Sequence, residues 1–481
     1  MSLKLKIGDT HTSKVEMSVV AEADVVVAGG GTAGCIAAIA AARNGADVLL
    51  IERYGFLGGM MTAGNAGLTK YIVHEKSQSE YRKVVAELVT NPSSVQVVGG
   101  IPMEITERLL DMKAGIGTNG TAGSYVFTSS EDFKWLLLTM MEEAGVKLLL
   151  HSLMVDIIKE GNTIRGVIVE NKSGRQAILA KIFIDATGDG DLAAKAGVPF
   201  VVGVGPNDFS AKHGAKLNIT QDMGVMFRVG NVDMTHCFEY LKENPDKFQV
   251  QECALLSFEQ ARKNFEKGEM MTINIDTDFA SPCFQIYNLP ISGVLTICCP
   301  LYSGNGLSVS DLTKAEVALT KKVRKWMLKM KEIPGFENVF LLDCPQVGVR
   351  ETRHIIGEYV LTIEDIFSSM EFEDGIGKGS HPIDVQPIPE SLKEHPLPPR
   401  WYFNIPYRCL VAKQIDNILV AGRCISTTHE ASGCTRPTVQ CMITGEAAGT
   451  AGAMCVKQNV KPRDLNTNKL RKKLKDQGGV L

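Results

Sequence analysis

The stretch Gly29-Gly30-Gly31-Thr32-Ala33-Gly34 decides the fold of this chain, because it joins two segments of different character. Asp24–Ala28, just before it, is a short run typical of a buried strand. Cys35–Ala42, just after it, is rich in alanine and isoleucine and contains no helix breaker, and Asn44-Gly45 then ends the helix. The pattern predicts a strand, a tight glycine turn and a helix.

A second strand, Asp47–Ile51, completes the unit and ends at the acidic residue Glu52. Strand, helix and strand fit into about 30 residues, as in a βαβ unit that binds a nucleotide. Gly29 would permit the turn, Gly31 would let the backbone approach a pyrophosphate at the helix N-terminus, and Gly34 would allow close packing. Glu52 can bind ribose hydroxyls. The predicted ligand is an ADP-containing dinucleotide; the alternative is a glycine-rich turn in an ordinary parallel sheet.

Composition narrows the class of protein. The chain has 481 residues, 51 Lys and Arg against 54 Asp and Glu, and a net charge of −3, so we expect neither a nucleic-acid surface nor a membrane-bound protein. Its twelve cysteines include no C-x-x-C spacing, which favours free thiols in a reducing compartment over a metal or redox site. We therefore predict a cytoplasmic protein, and the sequence leaves a homo-oligomer open.

Two later segments return to the character of the first unit. Four short strands between residues 146 and 184 read as a β-meander, which ends in the turn Asp185-Ala186-Thr187-Gly188-Asp189-Gly190-Asp191. Asn417–Val420 is another apolar strand that enters a turn at Gly422, and a helix with many small residues follows to Met454. Residues 201–400 instead show short strands, a long basic helix and proline-rich loops. They predict a separate substrate-facing domain.

These blocks, in this order, resemble the FAD-dependent oxidoreductases of the glutathione reductase superfamily, in the branch near the fumarate reductase and succinate dehydrogenase flavoproteins. The resemblance covers most of the chain. It implies an α/β fold in which a discontinuous Rossmann-like FAD-binding domain, with a parallel sheet and a β-meander, carries an inserted α+β substrate domain. The implied boundaries are 18–200 and 401–460 for the FAD domain, 201–400 for the inserted domain and 461–481 for a C-terminal helix.

The resemblance also implies which residues bind FAD. They come from the first βαβ unit, the glycine-rich loop after Glu52, the meander and the strand before residue 422: Gly29, Gly31, Thr32, Ala33, Gly34, Glu52, Arg53, Gly58, Gly59, Met60, Thr62, Val155, Ala186, Thr187, Gly188, Asp189, Gly422 and Arg423. No metal site is implied, since Asp189 and Asp191 belong to a nucleotide turn.

Three departures from the family pattern refine these expectations. Many relatives have an acid after the strand glycine to hold the ribityl hydroxyls, where this chain has Arg423. The loop at Gly58 has no histidine at the place where fumarate reductase relatives attach FAD covalently, so we predict non-covalent FAD. No second glycine block follows a strand in the central region, so a dedicated NAD(P)H domain is not expected.

Hydride transfer to or from a flavin needs a group that moves a proton or holds a carboxylate near the ring. Two clusters supply candidates: Arg350, Arg353 and His354 in one, and His429 and Arg436 in the other. Arg436 resembles the relatives' substrate-carboxylate arginine. The alternative for the first cluster is a set of structural ion pairs, for example with Glu351.

The leading hypothesis is an FAD enzyme that transfers a hydride between the flavin and a small polar, or anionic, organic substrate, with an electron acceptor or donor that the sequence does not name. A flavin-dependent monooxygenase is the second hypothesis. The third is a non-catalytic flavoprotein subunit that transfers electrons inside a larger complex.

Overall fold

A computed structural model describes residues 10, 12, 14–69, 72–74, 94–117, 125–245, 248–249, 258–268, 270–274, 283–381, 383–385 and 402–481. Strands β1 to β22 in the described part are, in chain order, Ser18–Ala28, Val48–Ile51, Leu68–Thr69, Ile72–His74, Ser94–Gln96, Gly115–Ile116, Tyr125–Thr128, Lys147–Leu149, Leu153–Glu160, Thr163–Asn171, Gly174–Asp185, Phe200–Val202, Met223–Gly230, Phe248–Gln249, Met271–Asn274, Cys283–Asn288, Leu295–Tyr302, Phe340–Asp343, Arg353–Ile355, Gly375–Gly379, Phe403–Pro406 and Ile418–Val420. Helices α1 to α12 are Thr32–Arg43, Gly100–Asp111, Ser130–Ala144, Asp191–Ala196, Phe209–Lys212, Met234–Glu243, Phe258–Glu266, Val309–Met330, Ile363–Phe367, His429–Thr435, Thr438–Gln458 and Thr467–Asp476.

The larger sheet has the order β8-β2-β1-β11-β10-β9, with β22 paired to β11. β1 runs parallel to β2 and to β11, whereas β9, β10 and β11 form an antiparallel meander. The predicted four-stranded meander is wrong in its first strand, because β8 pairs in parallel with β2 at the opposite edge of the sheet. β1 begins at Ser18, six residues before the predicted strand, because its first half pairs with β11 from Gln176 onward. The sheet confirms the α/β class.

The fold that carries the glycine turn is discontinuous in sequence. β22 lies beside β11, with Phe183–Asp185 opposite Ile418–Val420. Helix α11 then crosses α1 so closely that a Cβ added at Gly445 would lie 2.3 Å from the Ala33 carbonyl oxygen, and one at Gly449 would lie 2.1 Å from the Ala37 carbonyl oxygen. The small residues of α11 are therefore explained by its close packing against α1.

A second sheet lies between these two halves of the sequence. It is antiparallel, with the order β14-β15-β16-β17-β13-β18, and α8 packs on it through a row of buried side chains at helical spacing. The row is Ala315, Leu319, Val323, Trp326, Met327 and Met330. The exact domain boundaries stay a prediction; β12, which begins at the predicted boundary, pairs with β19.

Within the described residues, no helix is long and apolar enough to cross a lipid bilayer. Nor does that part of the chain gather three His, Cys, Asp or Glu side chains in a way that could hold a metal ion. Eight described cysteines are free thiols. Cys298 differs from the expectation of free thiols, since it is disulfide-bonded.

Candidate active site

A cavity of about 1120 Å³ is bounded by both sheets, with the glycine turn at one end and the antiparallel sheet at the other. Most of the predicted site residues line it: Gly29, Gly31, Thr32, Ala33, Glu52, Arg53, Gly59, Met60, Ala186, Thr187, Gly188, Asp189, Gly422, Arg423, Arg350 and Arg436. The remaining ones do not: Gly34, Gly58, Thr62, Val155, Arg353, His354 and His429. The residues predicted to bind the cofactor and those predicted to bind the substrate thus line one space, and we call its two ends the cofactor end and the substrate end.

The glycine turn forms one end of the cavity. Gly29 has a φ of +99°, and a Cβ there would lie 2.5 Å from the Ala186 carbonyl oxygen. The surroundings of Gly31 are more open than those of Gly29. A Cβ added at Gly31 would have the Cα of Gly59 as its nearest neighbour, at 3.9 Å. Only backbone therefore faces the cavity at Gly31, at the start of α1, where N–H groups and the helix dipole favour a phosphate.

Glu52 lies at the carboxyl end of β2 and is buried. Its Oε2 accepts a hydrogen bond from the Gly30 N–H at 2.7 Å, and its Oε1 accepts one from the Tyr54 N–H at 2.8 Å. Burial raises the pKa of this carboxyl, while these hydrogen bonds act in the opposite direction. Each oxygen retains a lone pair that can accept from a ribose hydroxyl.

Four predicted cofactor residues lie behind the cavity wall. A Cβ at Gly34 would be 1.8 Å from the Gly29 carbonyl oxygen, so this glycine allows the turn to close. Gly58 has a φ of +105° and packs against Thr62, whose Oγ1 donates to the Leu57 carbonyl oxygen at 2.6 Å. Val155 lies in β9, and its neighbours Leu153 and Met154 line the cavity instead.

Arg423 stands where many relatives have an acid, and the structure gives it a carboxylate partner. Its Nη2 lies 2.6 Å from Asp189 Oδ1, and its Nη1 donates to Thr352 Oγ1 at 3.1 Å. Burial alone would lower the pKa of Arg423, but Asp189 raises it. The pair presents both charges to the cavity with no net charge of its own.

Arg350 lies at the substrate end and, unlike Arg423, has a backbone carbonyl as its hydrogen-bond partner. Its Nη1 donates to the Asp222 carbonyl oxygen at 2.7 Å. Among the described residues, no carboxylate lies within ion-pairing distance of this guanidinium. Burial, and next the positive charge of Arg436, lower the pKa of Arg350 to about 10. Arg350 is thus a partly buried cation without an ion pair among the described residues, and the Asp384 and Asp222 carboxylates act on it only from beyond ion-pairing distance.

Arg436 also lines the cavity but has a partner. Its Nη2 donates to Asp384 Oδ2 at 2.6 Å and to the Asp384 carbonyl oxygen at 2.8 Å. Burial would raise the pKa of Asp384, but Arg436 holds it below its usual value. Together with Arg350, this group carries a net charge of +1.

The two predicted histidines lie in a buried network behind the cavity. Glu351 Oε1 bonds His429 Nδ1 at 2.7 Å and His354 Nε2 at 2.8 Å, and its Oε2 accepts from the Gln221 N–H at 2.8 Å. Burial would raise the pKa of Glu351, yet the two histidines hold it at about 2. This network connects the segments next to Arg350 and Asp222, so it supports the substrate end without facing it.

Arg353 likewise points away from the cavity. Its Nη1 donates to the Asp189 carbonyl oxygen at 2.9 Å and pairs with Asp191 at 2.8 Å. The sequence also missed several wall residues, among them Asp384, Met226, Phe127 and Tyr287, because they belong to separate strands and loops that no local motif brings together.

Comparison with known proteins finds relatives that match part of the chain. The chain is 30% identical over 168 residues to digeranylgeranylglycerophospholipid reductase 1 from Methanopyrus kandleri, which covers 35% of this chain and 40% of that protein. It is 26% identical over 175 residues to thiamine thiazole synthase from Methanococcus vannielii, 35% of this chain and 56% of that protein. The chain therefore matches about half the length of these relatives, or less.

A solved structure of a geranylgeranyl bacteriochlorophyll reductase-like protein from Thermoplasma acidophilum aligns with 95% of this chain and 84% of its own, at 14% identity and a TM-score of 0.45. The sequence of residues 24–474 matches the family of FAD dependent oxidoreductases, which spans both the glycine turn and the last helices. This chain belongs to the FAD dependent oxidoreductase family, and FAD is its cofactor.

Proposed function

We propose that this enzyme transfers a hydride between non-covalently bound FAD and a small organic anion held at Arg350. Bound FAD would supply a ring that accepts or releases two electrons with a hydride. The protein's own residues bind the cofactor, position the substrate's anionic group and keep both in one cavity.

The cofactor end fits the ADP half of FAD. The backbone at Gly31 is open toward the cavity at the start of α1 and suits the diphosphate, and Glu52 suits the ribose hydroxyls. Pro437 and Thr438, at the N-terminus of the 21-residue helix α11, also line the cavity. That terminus carries partial positive charge, which stabilises negative charge on a reduced flavin ring.

The observation that carries the proposal is the Arg350 guanidinium, which lines the cavity, is partly buried and forms no ion pair with the described residues. A buried cation without a counter-charge is costly, and a bound anion removes that cost while it forms charge-assisted hydrogen bonds. Arg436 and Asp384 neutralise each other next to it, and an anionic group on the substrate would supply the close partner that Arg350 lacks among the described residues. Such an arrangement orients a substrate by its anionic group.

The placement near the fumarate reductase and succinate dehydrogenase flavoproteins is part of this proposal. Arg436 supports it, because this arginine occupies the position that resembles the relatives' carboxylate-binding arginine and lines the cavity. Since Arg436 is already paired with Asp384, we assign the main contact with the substrate anion to Arg350 and a supporting role to Arg436.

The test begins with the visible spectrum of the purified protein and with acid precipitation. Release of FAD into the supernatant is expected; a flavin that stays with the precipitate would contradict the non-covalent assignment. Anaerobic mixing of oxidised protein with small carboxylates and phosphates, and of reduced protein with unsaturated ones, should then identify a compound that changes the flavin's redox state.

Variant R350M should keep the flavin but require at least 100-fold more substrate for the same rate, because it loses a charge-assisted contact of about 3 kcal/mol. R165M is the matched control, since Arg165 is exposed on β10 and pairs only with Glu160. NAD(P)H-dependent incorporation of oxygen into product would replace the proposal with the monooxygenase hypothesis. Activity only in a complex with another redox protein would favour the electron-transfer subunit.

A further inference from the structure

We infer that the substrate is an amphipathic anion, with a carboxylate or phosphate group at Arg350 and an apolar body of about six or more carbons along a wall formed by Met226, Tyr287 and Phe127. This inference rests on the function proposed above. It adds a second requirement, an apolar body, to the anionic group.

The charged end of the wall is set by β13 and β17. Gly224 of β13 pairs with Leu301 of β17. A Cβ added at Gly224 would lie 3.0 Å from both Arg350 Nη1 and Leu301 Cδ2. The guanidinium of Arg350 therefore lies against the strand at a residue without a side chain, and an apolar side chain flanks it directly.

Beyond Gly224 the lining of the cavity becomes apolar. Met226 follows two residues later on the same face of β13, about 7 Å further along the strand. Met226 pairs with Cys298 of the neighbouring strand β17. Cys298 in turn pairs with Gln285 of β16, the third strand, and Tyr287 lies two residues further along β16. Because adjacent strands are about 4.8 Å apart, Tyr287 lies roughly 10 Å or more from the charged end.

An aromatic pair closes the apolar end. The rings of Phe127 and Tyr287 stack with centroids 4.2 Å apart, and both side chains are almost fully buried yet line the cavity. The Tyr287 hydroxyl lies 3.2 Å from Met270 Sδ and 3.3 Å from Gln285 Oε1. Its polar tip thus has partners within the protein, so the ring contributes apolar surface to the wall.

This aromatic pair also adjoins the cofactor side of the cavity. A Cβ at Gly67 would lie 2.7 Å from the ring of Phe127, and the Gly67 carbonyl oxygen accepts from Thr438 at the N-terminus of α11. The apolar wall therefore connects Arg350 with the helix terminus assigned to the flavin ring. A substrate held by its anion at Arg350 can place an apolar body along this wall, where its burial is favourable.

The test measures binding to the FAD-loaded protein at equilibrium through the change in the visible flavin spectrum. Straight-chain carboxylates, phosphates and alcohols of two to eight carbons are titrated as three series. We expect the Kd of the acids to fall about fourfold for each added methylene until the wall is filled, and the alcohols to bind at least tenfold more weakly than acids of the same length. The tighter of the two acid series identifies the head group.

Two variants separate the two requirements. R350M should make acids and alcohols of one length bind equally, while the dependence on chain length persists. M226N should reduce the gain per methylene beyond four carbons and leave acetate or methyl phosphate unchanged. L328N is the matched control, because Leu328 is an exposed residue of α8 outside the cavity.

An affinity independent of chain length, or equal affinity for acids and alcohols in the unmodified protein, would overturn the inference. A protein whose flavin is reduced or oxidised by a short hydrophilic anion, with no dependence on chain length, overturns this inference and leaves the proposed function. A chain-length dependence in a protein whose flavin never changes redox state with any anion overturns the proposed function instead.

Discussion

Two partly buried arginines line the same cavity, and their hydrogen-bond partners differ. Arg423, at the cofactor end, pairs with Asp189 at 2.6 Å, and this carboxylate raises the pKa of the arginine against the effect of burial. Arg350, at the substrate end, donates to a backbone carbonyl, and burial lowers its pKa to about 10. A buried charge with an internal partner is part of the framework, whereas a buried charge without one is available for a ligand.

The difference also separates two ways to bind. At the cofactor end the wall is largely backbone, and recognition depends on how closely glycine lets the chain approach. At the substrate end the wall is made of side chains from distant segments, and we propose that recognition depends on Arg350 and an apolar surface. Each prediction below changes one side of this comparison.

The largest effect on stability is expected when Arg423 loses its carboxylate partner, Asp189. D189A leaves the guanidinium buried without its carboxylate and should lower the free energy of unfolding by about 3–5 kcal/mol. Urea unfolding measures this. D191A is the control two residues away, since its pair with Arg353 is 44% exposed on the aspartate side and is worth about 1 kcal/mol or less. Equal losses in both variants would contradict the role assigned to Asp189.

The comparison extends to a buried acid outside the cavity. Each side-chain oxygen of Glu446 in α11 lies 3.3 Å from the Ile101 nitrogen and accepts from its N–H. Burial raises the pKa of Glu446 to about 7. Because the folded-state pKa is above the unfolded value of 4.5, its stabilising contribution is full below pH 4.5 and is lost as the pH rises through 7.

Variant E446Q should therefore remove a decline of about 3 kcal/mol in stability between pH 4.5 and 8. Thermal or urea unfolding across this pH range measures the change. E142Q, at an exposed position on α3, should keep the decline. A decline that persists in E446Q would show that another group causes it.

A substitution at Gly31 should weaken FAD binding without changing the fold. In G31A the added Cβ has no protein neighbour closer than 3.9 Å, and Gly31 has an ordinary extended φ of −79°, so the apoprotein should fold normally. The methyl group would occupy space needed by the diphosphate, and FAD affinity should fall about 100-fold. G452A on α11 is the control with ordinary contacts. Unchanged FAD binding in G31A would place the diphosphate elsewhere.

The smallest effect is expected from a change of charge at the substrate end. D384N removes the negative charge that neutralises Arg436 and raises the net charge of the group with Arg350 from +1 to +2. The affinity for a small anion should rise on the order of tenfold at low salt and less at high salt. Titration of the flavin spectrum measures this, and a weaker anion affinity in D384N would show that Asp384 positions Arg436 instead.

The sequence predicts the cavity wall around the glycine turn because its determinants are local. Gly29, Gly31 and Glu52 lie within one βαβ unit, and their spacing follows from the geometry of a strand, a turn and a helix. The substrate end depends on contacts between distant segments: Arg350 with residue 222, and Arg436 with Asp384. His429 carries the same chemistry in sequence as a catalytic base, and only its hydrogen bond to Glu351 reveals its place in a buried network.

The most direct test of the account compares anaerobic flavin turnover in the unmodified protein and in R350M, with the anionic substrate found by screening. The account predicts the same oxidised-flavin spectrum in both proteins, and a half-maximal rate in R350M only at a concentration of anion at least 100-fold higher. The same dependence on substrate concentration in both proteins would contradict the claim that Arg350 holds the substrate's charge.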